Sequence, residues 1–137
     1  MVNPEILSAR LRALASYLDK LKVFRSVQRD EFVSEDALHD LAERYLHLAM
    51  ECVLDAGNHI IADRGLPTPR VYKDIFAILA TGGVISSALS EKLQRWAGLR
   101  NILVHNYLEI DHGIAYDIIQ NDLHELEEFS IRAAACL

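Results

Sequence analysis

Residues 34–63 read SEDALHDLAERYLHLAMECVLDAGNHIIAD, and the spacing of the apolar positions in this stretch decides the fold class. Leu38, Leu41, Tyr45, Leu48, Cys52 and Ala56 recur every three or four residues, the period of one helical face, with no proline among them. Ser34 can cap the start, and Glu35 and Asp36 place negative charge where the helix dipole favours it. One long helix, ending near Asp63, is the expected result. A half-buried strand would alternate with period two, and no such run in the chain is long enough for a sheet.

The segments on either side read the same way. Asn3-Pro4-Glu5 is a helix start, followed by Leu7, Leu11, Leu14, Leu18 and Leu21 at spacings of 4, 3, 4 and 3 to about Phe24. This stripe is most simply core, although its regularity would also suit a dimer seam. Arg25 to Val33 reads as a polar connection. Beyond Asp63, Arg64-Gly65-Leu66-Pro67-Thr68-Pro69 is a loop, with Gly65 suited to end one helix and Thr68-Pro69 to begin the next. That short helix carries Val71, Tyr72, Ile75, Phe76 and Leu79 and stops at Gly82-Gly83. Ser86 or Ser87 opens another, with Leu89, Leu93, Trp96 and Leu99 turned inward. After a break at Asp111 to Gly113, a last helix carries Ile114, Ile118, Ile119, Leu123, Leu126 and Phe129, its phase disturbed at Asp122. The expected fold is all-α, an antiparallel bundle of about five helices forming a single domain over residues 1–137.

Bulk properties narrow the function classes. The chain has 137 residues, 51% hydrophobic and 25% charged, with 6 Gly and 3 Pro, which excludes low-complexity disorder. No apolar run approaches the roughly 20 residues that span a bilayer, and Met1 to Arg12 does not read as a signal peptide. Cys52 and Cys136 are far apart and lack metal-type spacing, so a reduced, cytoplasmic setting is expected. The net charge of −6 opposes a nucleic-acid partner at first sight. Its distribution does not: residues 64–108 hold 6 basic and 2 acidic side chains, +4, between flanks of −4 and −6. A local anion site is permitted.

Within that basic middle, Arg100-Asn101-Ile102-Leu103-Val104-His105-Asn106-Tyr107 breaks the apolar pattern. Asn101 and His105 are four apart and share a helical face, and Arg100 is long enough to swing alongside. Tyr107 would fall on Arg100's side if the helix continued. RNA cleavage uses such a set. A histidine exchanges protons with the 2′-hydroxyl and the leaving oxygen, an arginine holds the phosphate bidentately, and an asparagine orients either. One histidine does not easily serve as both acid and base, whereas a two-fold dimer would supply two. The plainer reading of these residues is a helix cap and a surface ion pair, with Tyr107 a core or interface aromatic.

Other polar positions admit two readings. Arg44, His47, Glu51, Asp55 and Asn58 form a stripe that is either a solvated face or a cleft wall, with Glu51 or Asp55 pairing Arg44 or Arg100. Asp55 and His59 are too few to hold a metal, and no metal or other cofactor is expected. His39, His112 and His124 are expected at the surface, and Trp96 in the core or a dimer seam.

The stretch Gly98 to Tyr107 resembles the R-x-x-x-x-H-x-Y signature of the HepT-type HEPN proteins. The blocks Asp55-Ala56-Gly57-Asn58-His59-Ile60-Ile61-Ala62, Gly65-Leu66-Pro67-Thr68-Pro69 and Tyr72-Lys73-Asp74-Ile75-Phe76 agree, so the similarity runs over about residues 38–130. The resemblance implies a homodimeric HEPN-like bundle that acts as the endoribonuclease toxin of a toxin–antitoxin pair and needs no metal. It assigns catalysis to Arg100 and His105, with Asn101 assisting, at a composite site on the dimer interface. It implies an RNA substrate such as tRNA, and a partner nucleotidyltransferase of the MntA type that silences the toxin by AMPylating Tyr107. The alternative is a non-catalytic nucleotide-binding or dimerisation subunit of a minimal nucleotidyltransferase, in which Arg100 holds a nucleotide phosphate.

Overall fold

A computed structural model describes residues 3–137. Its α-helices are α1 (Pro4–Val23), α2 (Arg29–Ser34), α3 (Asp36–Asp63), α4 (Tyr72–Thr81), α5 (Ser87–His105), α6 (His112–Asn121) and α7 (Leu123–Ala134). Single 3-10 turns follow α1 (Phe24–Ser26) and α5 (Tyr107–Glu109). The result is an antiparallel helical bundle with no strand among the described residues, as expected, but with seven helices rather than five. α1 lies along α3 and α4 along α5, while α7 touches α1, α3 and α5 and closes the core between the two pairs.

α1 forms where the sequence places it. Asn3 Oδ1 accepts from the backbone N–H groups of Glu5 (3.0 Å) and Ile6 (3.4 Å), and all five leucines of the stripe are buried. Burying each leucine stabilises the fold by about 1.5–3 kcal/mol before chain entropy is counted. The stripe is core.

Five local expectations are corrected. The connection after α1 is not merely polar: it folds into α2, because Phe32 is fully buried against the rings of Phe24 and Tyr116. Ser34 is therefore the last residue of α2 rather than a cap, and α3 begins at Asp36. Leu41 is 46% exposed, while Ala42, Leu46, Ala49, Met50 and Val53 are buried. A helix of 28 residues that meets α1, α2, α4, α5, α6 and α7 buries more than one stripe, and its buried face is not the one a single period selects. α4 starts at Tyr72 instead of just after Thr68: Asp74 supplies the cap, its carboxylate accepting from the N–H groups of Arg70 (3.1 Å) and Val71 (3.3 Å). Finally, the disturbance at Asp122 is a break between α6, which buries Ala115 and Ile119, and α7, which buries Leu123, Leu126, Phe129 and Ala133.

Two glycines set the geometry near the site. Gly65 has φ +63°, the left-handed conformation that ends α3. Gly57 lets α4 approach α3, since a Cβ there would stand 2.6 Å from Ile75 Cγ2.

Candidate active site

The last turns of α5 carry the polar cluster, and α3 and α4 shape the space around it. Arg100 is only 8% exposed, so it is not the surface ion pair of the plainer reading. Its Nε donates to Glu51 Oε1 at 2.7 Å, Nη1 contacts Asn101 Oδ1 at 3.4 Å, and its guanidinium carbon lies 4.4 Å from the centroid of the Tyr72 ring. A guanidinium has five N–H donors, so this clamp fixes the plane of the group while leaving donors to spare. His105, one turn on, is exposed, and its side chain makes no hydrogen bond or ion pair among the described residues. It lines a cavity of 720 Å³ together with Asn101, Asn58, Arg70 and Tyr72, and Arg100 lies directly behind that lining. The cavity is walled by the loop before α4 on one side and the end of α5 on the other.

The polar stripe of α3 divides. Glu51 turns toward Arg100, and His47 Nε2 lies 3.4 Å from the same Glu51 oxygen. His47 Nδ1 receives a hydrogen bond from Arg44 Nη1 at 3.0 Å, completing a chain Arg44–His47–Glu51–Arg100. Desolvation holds the His47 pKa below its ordinary value; Arg44 and Arg100 add to this, and Glu51 opposes it. Asp55 does not belong to the chain. It pairs with Arg10 of α1 at 3.2 Å on the solvent side, which also removes it from any metal pairing with His59.

Tyr107 is not on Arg100's helical face. α5 ends at His105, and the 3-10 turn that follows leaves Tyr107 64% exposed. It lines a separate cavity of 350 Å³ with Arg44, His47, Leu103 and His112. The Arg44–His47–Glu51–Arg100 chain thus runs from the Tyr107 cavity to the guanidinium behind the His105 cavity.

Two other expectations fail. His39 is 4% exposed, not a surface residue: it lies in the first turns of α3, beneath α6, and its ring stacks on that of His112 at 3.6 Å. His112 is half-buried, with Nδ1–H donating to Glu43 Oε2 at 2.6 Å. His124 is exposed, as expected, and Trp96 is core, its Nε1–H donating to buried Glu125 at 3.0 Å. Sequence spacing gave no sign of Tyr72 as a partner of Arg100, since it lies on another helix 28 positions upstream.

Comparisons with known proteins bear on the family and the fold. Residues 14–133 match the family described as ribonuclease HepT-like. The chain is 33% identical over 99 residues to the mRNA nuclease HepT of Shewanella oneidensis, covering 72% of this chain and 74% of that protein. It is 30% identical over 112 residues to the tRNA nuclease HepT of Aphanizomenon flos-aquae, covering 80% and 75%. Its fold is similar to that of a tri-AMPylated Shewanella oneidensis HEPN toxin solved in complex with an MNT antitoxin. The TM-score is 0.87 at 27% identity, over 95% of this chain and 97% of that one.

Proposed function

This chain belongs to the ribonuclease HepT-like family, and on that premise we propose that it is the endoribonuclease toxin of a toxin–antitoxin pair, cutting RNA with Arg100 and His105. One observation carries the assignment of the site. A buried arginine, clamped by Glu51 and Tyr72, stands behind the lining of a cavity into which an exposed, unengaged histidine opens. The guanidinium behind the lining is already oriented, so a phosphate that reaches it past Tyr72 and Asn101 finds charge and donors preorganised. His105 moves the proton of the attacking 2′-hydroxyl or of the leaving 5′-oxygen, and the product is a cyclic phosphate. Asn101 stands between the two groups and orients them.

A second copy of the chain would supply the other histidine. Val71, Tyr72, Ile102, Tyr107 and Leu108 are exposed apolar or aromatic residues around the site, the composition of a surface that a partner covers. We assign the two-fold interface to this face, and the protein to the cytoplasm, where its RNA substrate and a nucleotidyltransferase antitoxin of the MntA type would meet it. No helix among the described residues is long and apolar enough to cross a membrane.

Silencing follows from the position of Tyr107. An AMP group on its hydroxyl places a phosphate in the cavity that holds Arg44 and His47. Arg44 is then drawn to the nucleotide, and the change passes through His47 and Glu51 to Arg100. The bulky adenylate also stands beside the face that a second copy would cover.

The test is RNA cleavage by the purified, unmodified protein. His105→Ala and Arg100→Ala are expected to lower the rate by about 10²–10⁴-fold or more and to abolish growth inhibition, with helicity retained. Tyr107→Phe is expected to keep cutting after co-expression with the nucleotidyltransferase, with no nucleotidyl unit added to its intact mass at this position. Equal cleavage by wild type and both alanine variants would remove the assignment.

A further inference from the structure

Away from the Arg100 cavity, the first turns of α3 and the first residue of α6 bring together His39, Glu43 and His112. One ligand-type atom from each lies within 4.8 Å of the other two. In the sequence they are far apart: His39 and Glu43 share one helical face, and His112 arrives 69 positions after Glu43.

The hydrogen bonding of His39 is the informative detail. Its Nε2 lies 3.1 Å from Asp36 Oδ1, and a carboxylate can only accept, so Nε2 carries the proton. In the neutral ring Nδ1 is then a bare lone pair. That atom is fully buried and has no hydrogen-bond partner. Asp40 Oδ1 stands 2.9 Å from it but outside hydrogen-bond geometry, so two electron-rich atoms face each other at contact distance. A histidine that gives one ring nitrogen to a carboxylate and presents the other, unprotonated, among further oxygen ligands has the outer arrangement of a metal-binding imidazole. Three carboxylates, Asp36, Asp40 and Glu43, surround two histidines here, an excess of negative charge that a divalent cation would offset.

We propose that His39, Glu43 and His112 bind a divalent transition-metal ion, with zinc the best match to two imidazoles and one carboxylate. Such a donor set is that of a zinc site with three protein ligands and one open position. Four ligands at about 2.0–2.2 Å from zinc stand about 3.3–3.6 Å from one another, so the widest separation closes by roughly 1.5 Å or less, while Glu43 Oε2 and His112 Nδ1, 2.6 Å apart, move apart by roughly 1 Å. His112, half-buried and at a helix start, is the group that turns: its hydrogen bond to Glu43 gives way to the ion, its ring leaves the stack on His39, and the ligating nitrogen's proton is released. The 350 Å³ cavity, lined by Asp40, Glu43 and His112, is the entry path and the open coordination side. The ion would tie α3 to α6 across the connection that carries Tyr107. It takes no part in chemistry at Arg100, and the proposal does not rest on the ribonuclease reading.

The full chain, stripped with EDTA and dialysed, would be titrated with Zn²⁺ by calorimetry and with Co²⁺ by visible absorption. One ion per chain is expected, with the strong d–d bands of a four-coordinate site and a higher thermal midpoint. His112→Ala and Glu43→Gln should each weaken binding by at least about tenfold, whereas His124→Ala should bind as wild type. Arg100→Ala should keep the metal while losing cleavage, and chelation should spare cleavage well below the melting temperature. These two results separate the metal site from the catalytic reading. If a variant fails to fold, the imidazole ¹⁵N resonances of His39 and His112 in the wild-type protein read the same ligands during the titration. Absence of stoichiometric binding, binding unchanged by both ligand variants, or ¹⁵N resonances unmoved by Zn²⁺ would overturn the proposal.

Discussion

Glu51 is the residue on which the orientation of Arg100 depends. Its carboxylate faces Arg100 Nε at 2.7 Å and His47 at 3.4 Å, and removing its charge leaves the guanidinium held only by Asn101 and Tyr72. Glu51→Gln is expected to keep the fold and lower kcat by about tenfold or more, with KM little changed, because misplacement acts on the transition state. Single-turnover cleavage distinguishes this from a purely structural role, which would lower thermal stability and leave the rate per folded molecule intact. His47 carries a pH signature. Its folded pKa lies below the ordinary value of about 6.5, first because of desolvation, then because of Arg44 and Arg100. A depressed pKa contributes stability that is fully present above the unfolded value and is lost as pH falls through the folded one. Between about pH 6.5 and lower pH the melting temperature of wild type should therefore fall more steeply than that of His47→Gln. Parallel curves would show that the ring titrates alike in both states.

At the scale of the elements, the site exists because α4 lies close on α3, bringing Tyr72 beneath Arg100. Gly57 permits that approach. Gly57→Ala puts a methyl group 2.6 Å from Ile75 Cγ2, so α4 must shift or the Ile75 side chain must leave its place. The expected cost is about 1–3 kcal/mol in chemical denaturation, together with reduced cleavage as Tyr72 moves off the guanidinium. Loss of neither would mean that the α3–α4 contact is more compliant than its packing indicates. The break at Asp122 and the turn after His105 belong to the same scale. Each interrupts a helix that local periodicity would continue: the first separates α6 from α7, and the second turns Tyr107 away from the face of Arg100.

At the scale of the whole molecule, Val71, Tyr72, Ile102, Tyr107 and Leu108 gather exposed apolar and aromatic surface around the end of α5, Leu108 at 88% exposure most of all. Leu108→Asp is expected to give a folded monomer in analytical ultracentrifugation with cleavage lost, while wild type sediments as a dimer; an active monomeric variant would show that one chain completes the site. How much of this was legible beforehand differs with scale. The leucine stripe of α1, the glycine stops at Gly65 and Gly82-Gly83, and the pairing of Asn101 with His105 on one face were readable, because each depends on neighbours within a few turns. So was the resemblance carried by Arg100, His105 and Tyr107. Phe32's short helix, the exposure of Leu41 and the split at Asp122 were not, since burial by a distant helix outweighed local period in each. By itself, then, the sequence determined an all-helical chain with a polar segment, Arg100 to Tyr107, at the end of an apolar helix. Only the tertiary structure decided that Arg100 is buried on Glu51 and Tyr72, that Tyr107 opens into a different cavity from His105, and that His39 meets His112. Those are contacts between helices distant in sequence, and their geometry is settled by how the helices pack.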